Sequence, residues 1–178
     1  PFVKTSNDVL KVAKDRWKDI RLGGNVEVDF VYITSLGRDL VSFGFKPRPI
    51  ILPIEPTSTG YRLLDIHALR SKGFTHMANW LEKVESIWRK QRTERSKIRF
   101  PSILDRLDYN SLLSIQNPNK RYVVIYNAHG TNIVSCVIDR HSLPSLRVFK
   151  ANIQPRGFIA EDASWYYETD NELEAHYL

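Results

Sequence analysis

The chain has 178 residues, 42% of them hydrophobic, which is enough for one packed core and argues for a globular fold rather than a disordered chain. Lysine and arginine total 26 against 20 acidic residues, and the net charge of +6 suits a polyanionic partner without requiring one. A lone cysteine, Cys136, excludes an internal disulfide and a cysteine-rich zinc site, and it fits a reducing, cytoplasmic setting.

No apolar run approaches the length of a membrane span, and no signal peptide opens the chain. The sequence begins at Pro1 without a methionine and closes inside a predicted helix. It reads as one domain excised from a longer protein.

Residues 1–25 carry Val9, Leu10, Val12, Ala13, Trp17 and Ile20 at helical spacing, with Ser6 or Asp8 available as the cap and Gly23-Gly24-Asn25 as the stop. Residues 26–70 read as strands and loops. Val26 to Ile33 is β-branched and aromatic, Gly37-Arg38-Asp39 is a turn, and Leu40 to Phe45 is a second short strand. Four prolines, at 47, 49, 53 and 56, bracket Ile50 to Ile54 and place that run at a sheet edge.

An amphipathic helix with a basic end is predicted over 75–97. Met77, Trp80, Leu81, Val84, Ile87, Trp88 and Gln91 form one stripe, and Glu85 precedes Arg89 by one turn. The stripe fits core packing against a sheet first, with a docking face for another domain as the alternative for its tryptophans. Residues 121–178 form a hairpin and sheet region ending in a helix start. Two strand-like runs, Arg121 to Tyr126 and Ile133 to Ile138, flank a Gly-containing connector. Further strands are expected in Leu146 to Ile153 and Phe158 to Tyr167. Asn171 with Glu174 resembles a capping box. The fold class expected is α+β, one domain, with a mixed or largely antiparallel sheet and two or three flanking helices.

Positive charge is densest at Arg89, Lys90, Arg92, Arg95, Lys97 and Arg99, opposed only by Glu94. One or two cations satisfy a helix C-terminus, whereas six make a track suited to phosphates. The hairpin tip supplies Asn127, His129, Thr131 and Asn132, residue types that reach base edges but are also ordinary turn formers. Arg140, Arg147, Lys150 and Arg156 follow, and arginine is the usual reader of guanine. Trp165, Tyr166 and Tyr167 are consecutive, so one strand face cannot bury all three.

Enzyme signatures are missing. There is no Gly-rich phosphate loop, no metal-ligand spacing among the five histidines and no nucleophile elbow. Asn117-Pro118-Asn119-Lys120 departs from the Asn-Pro-Pro-aromatic motif of amino-group DNA methyltransferases at its last two positions, so it is not a catalytic motif.

RYVVIYNAHGTNIVSCVIDRHSLPS, followed by IQPRGFIAEDASWYYETDNELEAHYL, resembles the TaqI-like C-terminal specificity domain. This is the target recognition domain of adenine-specific DNA methyltransferases and of fused restriction-methylation enzymes. The aromatic strand Trp165-Tyr166-Tyr167 and the helix start Asn171-Glu172-Leu173-Glu174-Ala175 carry the likeness, with a fainter echo around Gly37-Arg38-Asp39.

The resemblance implies a sequence-specific duplex-DNA recognition module with no catalytic, cofactor or metal site of its own. Methyl transfer and S-adenosylmethionine binding would belong to a preceding methyltransferase domain of the same polypeptide, in a prokaryotic phage-defence or restriction-modification setting. The alternative is a protein-interaction module of such a complex, in which the tryptophans dock a subunit and base reading is absent.

Overall fold

The computed structural model describes residues 1–41, 44–128, 134–148 and 151–177. Phe2–Lys4 (β1) pairs antiparallel with Gly23–Asn25 (β2). Between them lies Asn7–Val12 (α1), where the Ser6 side chain accepts from the Asp8 amide, and a tight 3-10 turn at Asp15–Trp17. A helix across 1–25 is therefore corrected to one short helix inside a strand pair. The chain turns extended at Ala13. Gly23 and Gly24 form a strand rather than a stop, because Gly24 admits the Trp80 ring 3.3 Å from where a β-carbon would sit.

Val28–Phe30 is a 3-10 turn, so the expected strand contracts to Val31–Thr34 (β3). Leu40–Val41 (β4) and Gly44–Phe45 (β5) make a small hairpin, and Arg48–Ile51 (β6) pairs with β3. Pro49 sits opposite Ile33 on an edge strand, where its missing N–H is harmless. All four β3 residues are buried, and their alternation sorts them: Val31 and Ile33 enter the main core, Tyr32 a smaller one. On its other side β3 holds residues 156–159 in parallel, through the Ile33 amide to the Gly157 carbonyl at 2.9 Å and the Ile159 amide to the Ile33 carbonyl at 2.8 Å.

Ile54–Pro56 (β7) and Tyr61–Leu63 (β8) form the next hairpin. Gly60 at its base has no substitute, since a β-carbon there would overlap the Ser114 carbonyl oxygen. Ile66–Ser71 (α2) follows, capped by Asp65. Thr75–Gln91 (α3) buries Met77, Ala78, Leu81 and Trp88. The stripe is thus core, and Trp80 is packed partly against it. The 75–97 helix breaks at Arg92, whose backbone is extended. Thr93 then caps a new helix, Glu94–Arg99 (α4), by accepting from the Ser96 amide. A Ser102–Asp105 capping box opens Ile103–Leu107 (α5).

Tyr122–Asn127 (β9) is the central strand of a sheet, flanked by Ser135–Asp139 (β10) and, later in the chain, Ser164–Thr169 (β13). Between them Leu146–Val148 (β11) and Ala151–Ile153 (β12) form a separate hairpin. Glu172–Tyr177 (α6) closes the described chain. The Asn171 carboxamide oxygen accepts from the Leu173 and Glu174 amides at 3.0 and 3.3 Å. Glu174 does not complete a capping box, because its carboxylate binds the Tyr167 hydroxyl at 2.8 Å and the Thr169 hydroxyl.

The architecture is α+β, with small antiparallel sheets and six α-helices among the described residues rather than two or three. No helix among them is long and apolar enough to cross a membrane.

Candidate nucleic-acid interface

The basic run does not lie along one helix. Arg89 pairs with Glu85 at 2.7 Å, and Lys97 pairs with Glu94 at 2.5 Å. Arg92 turns inward: it donates to the carbonyl of Phe100 at 3.0 Å and lies 4.8 Å over the Trp88 ring. Arg99 binds the Tyr109 hydroxyl and lies 4.4 Å over the Tyr109 ring. Lys90 and Arg95 are exposed and make no hydrogen bond or ion pair with described residues. Ile98, 87% exposed, stands among these charges on α4.

At the hairpin, the Asn127 side-chain oxygen accepts from the Val134 amide at 2.9 Å, so Asn127 serves the turn it was expected to read from. His129, Thr131 and Asn132 lie outside the described residues, as does Lys150. Arg38 is exposed beside the hairpin and shares a concavity with Asn127, Ala128 and Glu161. Burial pushes the Glu161 carboxyl up, against the Gly37 amide that donates to it at 2.7 Å. Arg48 is held by Asp39 and is not available to a ligand.

Arg140 is an internal clamp. Its guanidinium donates to Glu168 at 2.6 Å and to the carbonyls of Asn117 and Lys120 at 2.6 and 2.8 Å. Asn117-Pro118-Asn119-Lys120 is thereby fixed as a turn. Asn119 ties it to the next hairpin by donating to the carbonyls of Thr57 and Ser58. Arg140 and Arg156 meet in one concavity, and none of the other described contact residues expected from the sequence joins them there.

A second concavity, of about 540 Å³, was not foreseen. Lys4 at the end of β1, Arg21 before β2 and Arg147 on β11 line it, with Ser6 and Asn7 at the start of α1. No carboxylate lines it among the described residues. The Lys4 and Arg147 side chains make no hydrogen bond or ion pair with described residues, and Arg21 donates to the Lys18 carbonyl at 2.7 Å. These three residues are distant in sequence, so no local charge run marks them. Strand pairing brings Lys4 beside the chain that leads into β2, and the β11–β12 hairpin closes the other wall.

The aromatic trio divides as strand alternation demands. Trp165 and Tyr167 are 64% and 40% exposed, whereas Tyr166 packs on the core. The chain matches no known family model, no curated protein and no solved structure.

Proposed function

We propose that this protein is a duplex-DNA recognition module of the TaqI-like specificity-domain type. It serves a preceding adenine-specific methyltransferase domain that binds S-adenosylmethionine and performs the chemistry. The observation that carries the reading is the carboxylate-free groove of Lys4, Arg21 and Arg147. A cationic concavity without acids among its described lining residues attracts an anion of extended form, because those residues offer its charges no carboxylate partner. The groove supplies grip, while the β9–β10 hairpin and Arg38 are the elements that choose sequence.

Titration of a labelled duplex at several salt concentrations tests this. With about six phosphates engaged, affinity falls roughly a thousandfold between about 50 and 200 mM salt. A variant combining Lys4→Ala, Arg21→Ala and Arg147→Ala lowers the slope by about 3. Absence of binding at low salt, or an unchanged slope in the variant, removes the reading.

A second reading draws on the exposed Trp165, with Leu173 and Tyr177 82% and 92% exposed on α6. These side chains suit a protein contact rather than DNA, and the methyltransferase domain of the same polypeptide is the partner they favour.

A further inference from the structure

We propose that the concavity between β8 and the 156–159 segment is a phosphoryl-binding pocket, holding one oxyanion between Arg156, His141 and the Tyr61 hydroxyl. The proposal deepens the DNA reading, on which it rests for the source of the phosphate. The cavity measures about 270 Å³ and is lined by Tyr32, Tyr61, Arg140, His141, Arg156 and Gly157, among others. That is below the roughly 300 Å³ floor of drug-sized ligand sites. It leaves room for one phosphoryl group and a few waters, at about 30 Å³ each.

The chemistry of the lining decides the ligand class. Tyr61 is 6% exposed, its hydroxyl opens on the cavity, and no hydrogen bond joins that hydroxyl to the described residues. That hydroxyl is a donor open to the cavity, from which an anionic occupant can accept. Burial raises the Tyr61 phenol, the charges of Arg140 and Arg156 lower it, and the Glu168 carboxylate raises it. Arg156 makes no side-chain hydrogen bond or ion pair with described residues. Its backbone is nevertheless fixed, because its amide donates to the Val31 carbonyl at 2.7 Å.

Behind the cavity, Arg140 is neutralised by Glu168 and keeps one buried donor, Nε, without an acceptor among the described residues. The His141 side chain is exposed at the same mouth, while its amide donates to Asp139. No Asp or Glu lines the cavity among the described residues. The unengaged groups are thus donors and cations, which select an oxyanion. Gly157 forms the floor, where an added β-carbon would lie 3.5 Å from the Tyr61 oxygen and 3.7 Å from the Tyr32 ring. These are ordinary contacts, so Gly157→Ala fills the floor without disturbing the fold.

Arg156 is therefore assigned to phosphate grip rather than to guanine. Grip and base reading separate experimentally, since phosphate contacts weaken every sequence alike. The test measures duplex affinity against salt for the wild type, Arg156→Ala, Tyr61→Phe and Gly157→Ala. In parallel, inorganic phosphate and pyrophosphate are titrated while the arginine and histidine side-chain resonances are followed by NMR.

Expected are a loss of about tenfold and a salt slope smaller by about 1 for Arg156→Ala, equal on unrelated duplexes. Several-fold losses are expected for Tyr61→Phe and Gly157→Ala, with unchanged denaturation midpoints. Duplex binding that ignores all three substitutions overturns the pocket and leaves the DNA reading intact. Pyrophosphate shifts at His141 and Arg156 without any duplex binding keep the pocket and remove the DNA reading. No response to either ligand overturns the pocket outright.

Discussion

The Arg140 guanidinium donates to Glu168 Oε1 at 2.6 Å with only 6% and 12% of the two side chains exposed, joining the end of β10 to β13 beneath the 117–120 turn. The second Glu168 oxygen accepts from the Asn117 amide at 2.9 Å, so the pair holds the turn from both sides. Removing one partner of a buried pair strands the other charge, at a cost of about 3–5 kcal/mol. Arg140→Met is expected to lose stability of that order in urea denaturation. A variant that stays within about 1 kcal/mol of wild type but binds DNA tenfold more weakly would make Arg140 a reader and refute its role as a clamp.

Asp39 and Arg48 form the other secluded pair, with side chains 9% and 14% exposed. The hydrogen bond from Arg48 is the main cause that holds the Asp39 carboxyl below its ordinary range. A depressed acid contributes stability above the unfolded pKa of about 3.9 and loses it as pH falls through the folded value. Asp39→Asn is therefore expected to cost about 2 kcal/mol at pH 7, the scale of a charge-assisted hydrogen bond. The gap to wild type closes as pH drops below about 4. Thermal melts from pH 7 to pH 3 measure this, and a gap that stays constant with pH excludes the carboxylate as its source.

Much of the fold is legible in the sequence where periodicity and turn chemistry agree. The α3 stripe, the β9–β10 pairing and the Asn171 cap of α6 follow from spacing alone. What escapes is set by tertiary contacts. Gly23-Gly24 reads as a helix stop until Trp80 occupies the space above Gly24. The helix after Gln91 reads as continuous because its charges favour helix, yet the Thr93 cap restarts it and turns Arg92 inward. The candidate site is less legible still. Lys4, Arg21 and Arg147 share no motif, and Tyr61 looks like a core aromatic, yet its hydroxyl lies at a cavity wall without a partner among the described residues.

Sequence choice is expected to reside at the β9–β10 hairpin and beside it. Arg38 is exposed without a hydrogen bond or ion pair to described residues, and Asn132 has the residue type that pairs with adenine. Each of Arg38→Ala and Asn132→Ala should relax preference at one position of the target, by about 1–3 kcal/mol of discrimination. Selection from a pool of randomised duplexes reads this directly. Uniform weakening across the pool would move the reading function away from this edge.

The six cations between Arg89 and Arg99 are expected to fall into two groups that a single experiment separates. Arg92 is engaged with the Phe100 carbonyl and the Trp88 ring, so Arg92→Ala should lower stability by about 1–3 kcal/mol through lost hydrogen bonds and packing. Its effect on duplex affinity per folded molecule should be small. Lys90 and Arg95 make no such contacts, so Lys90→Ala and Arg95→Ala should leave denaturation midpoints within about 0.5 kcal/mol. Each should instead lower the salt slope by about 1, because each removes one phosphate neutralised. Lys97 lies between the groups. Its partner Glu94 is 83% exposed, and such a pair is worth at most about 1 kcal/mol, so Lys97 can be drawn to a phosphate. Denaturation and salt-dependent titration of these three single variants, with Lys97→Ala as a fourth, decide the matter. If Arg92→Ala changes the slope while Lys90→Ala and Arg95→Ala do not, this edge of the molecule does not face DNA.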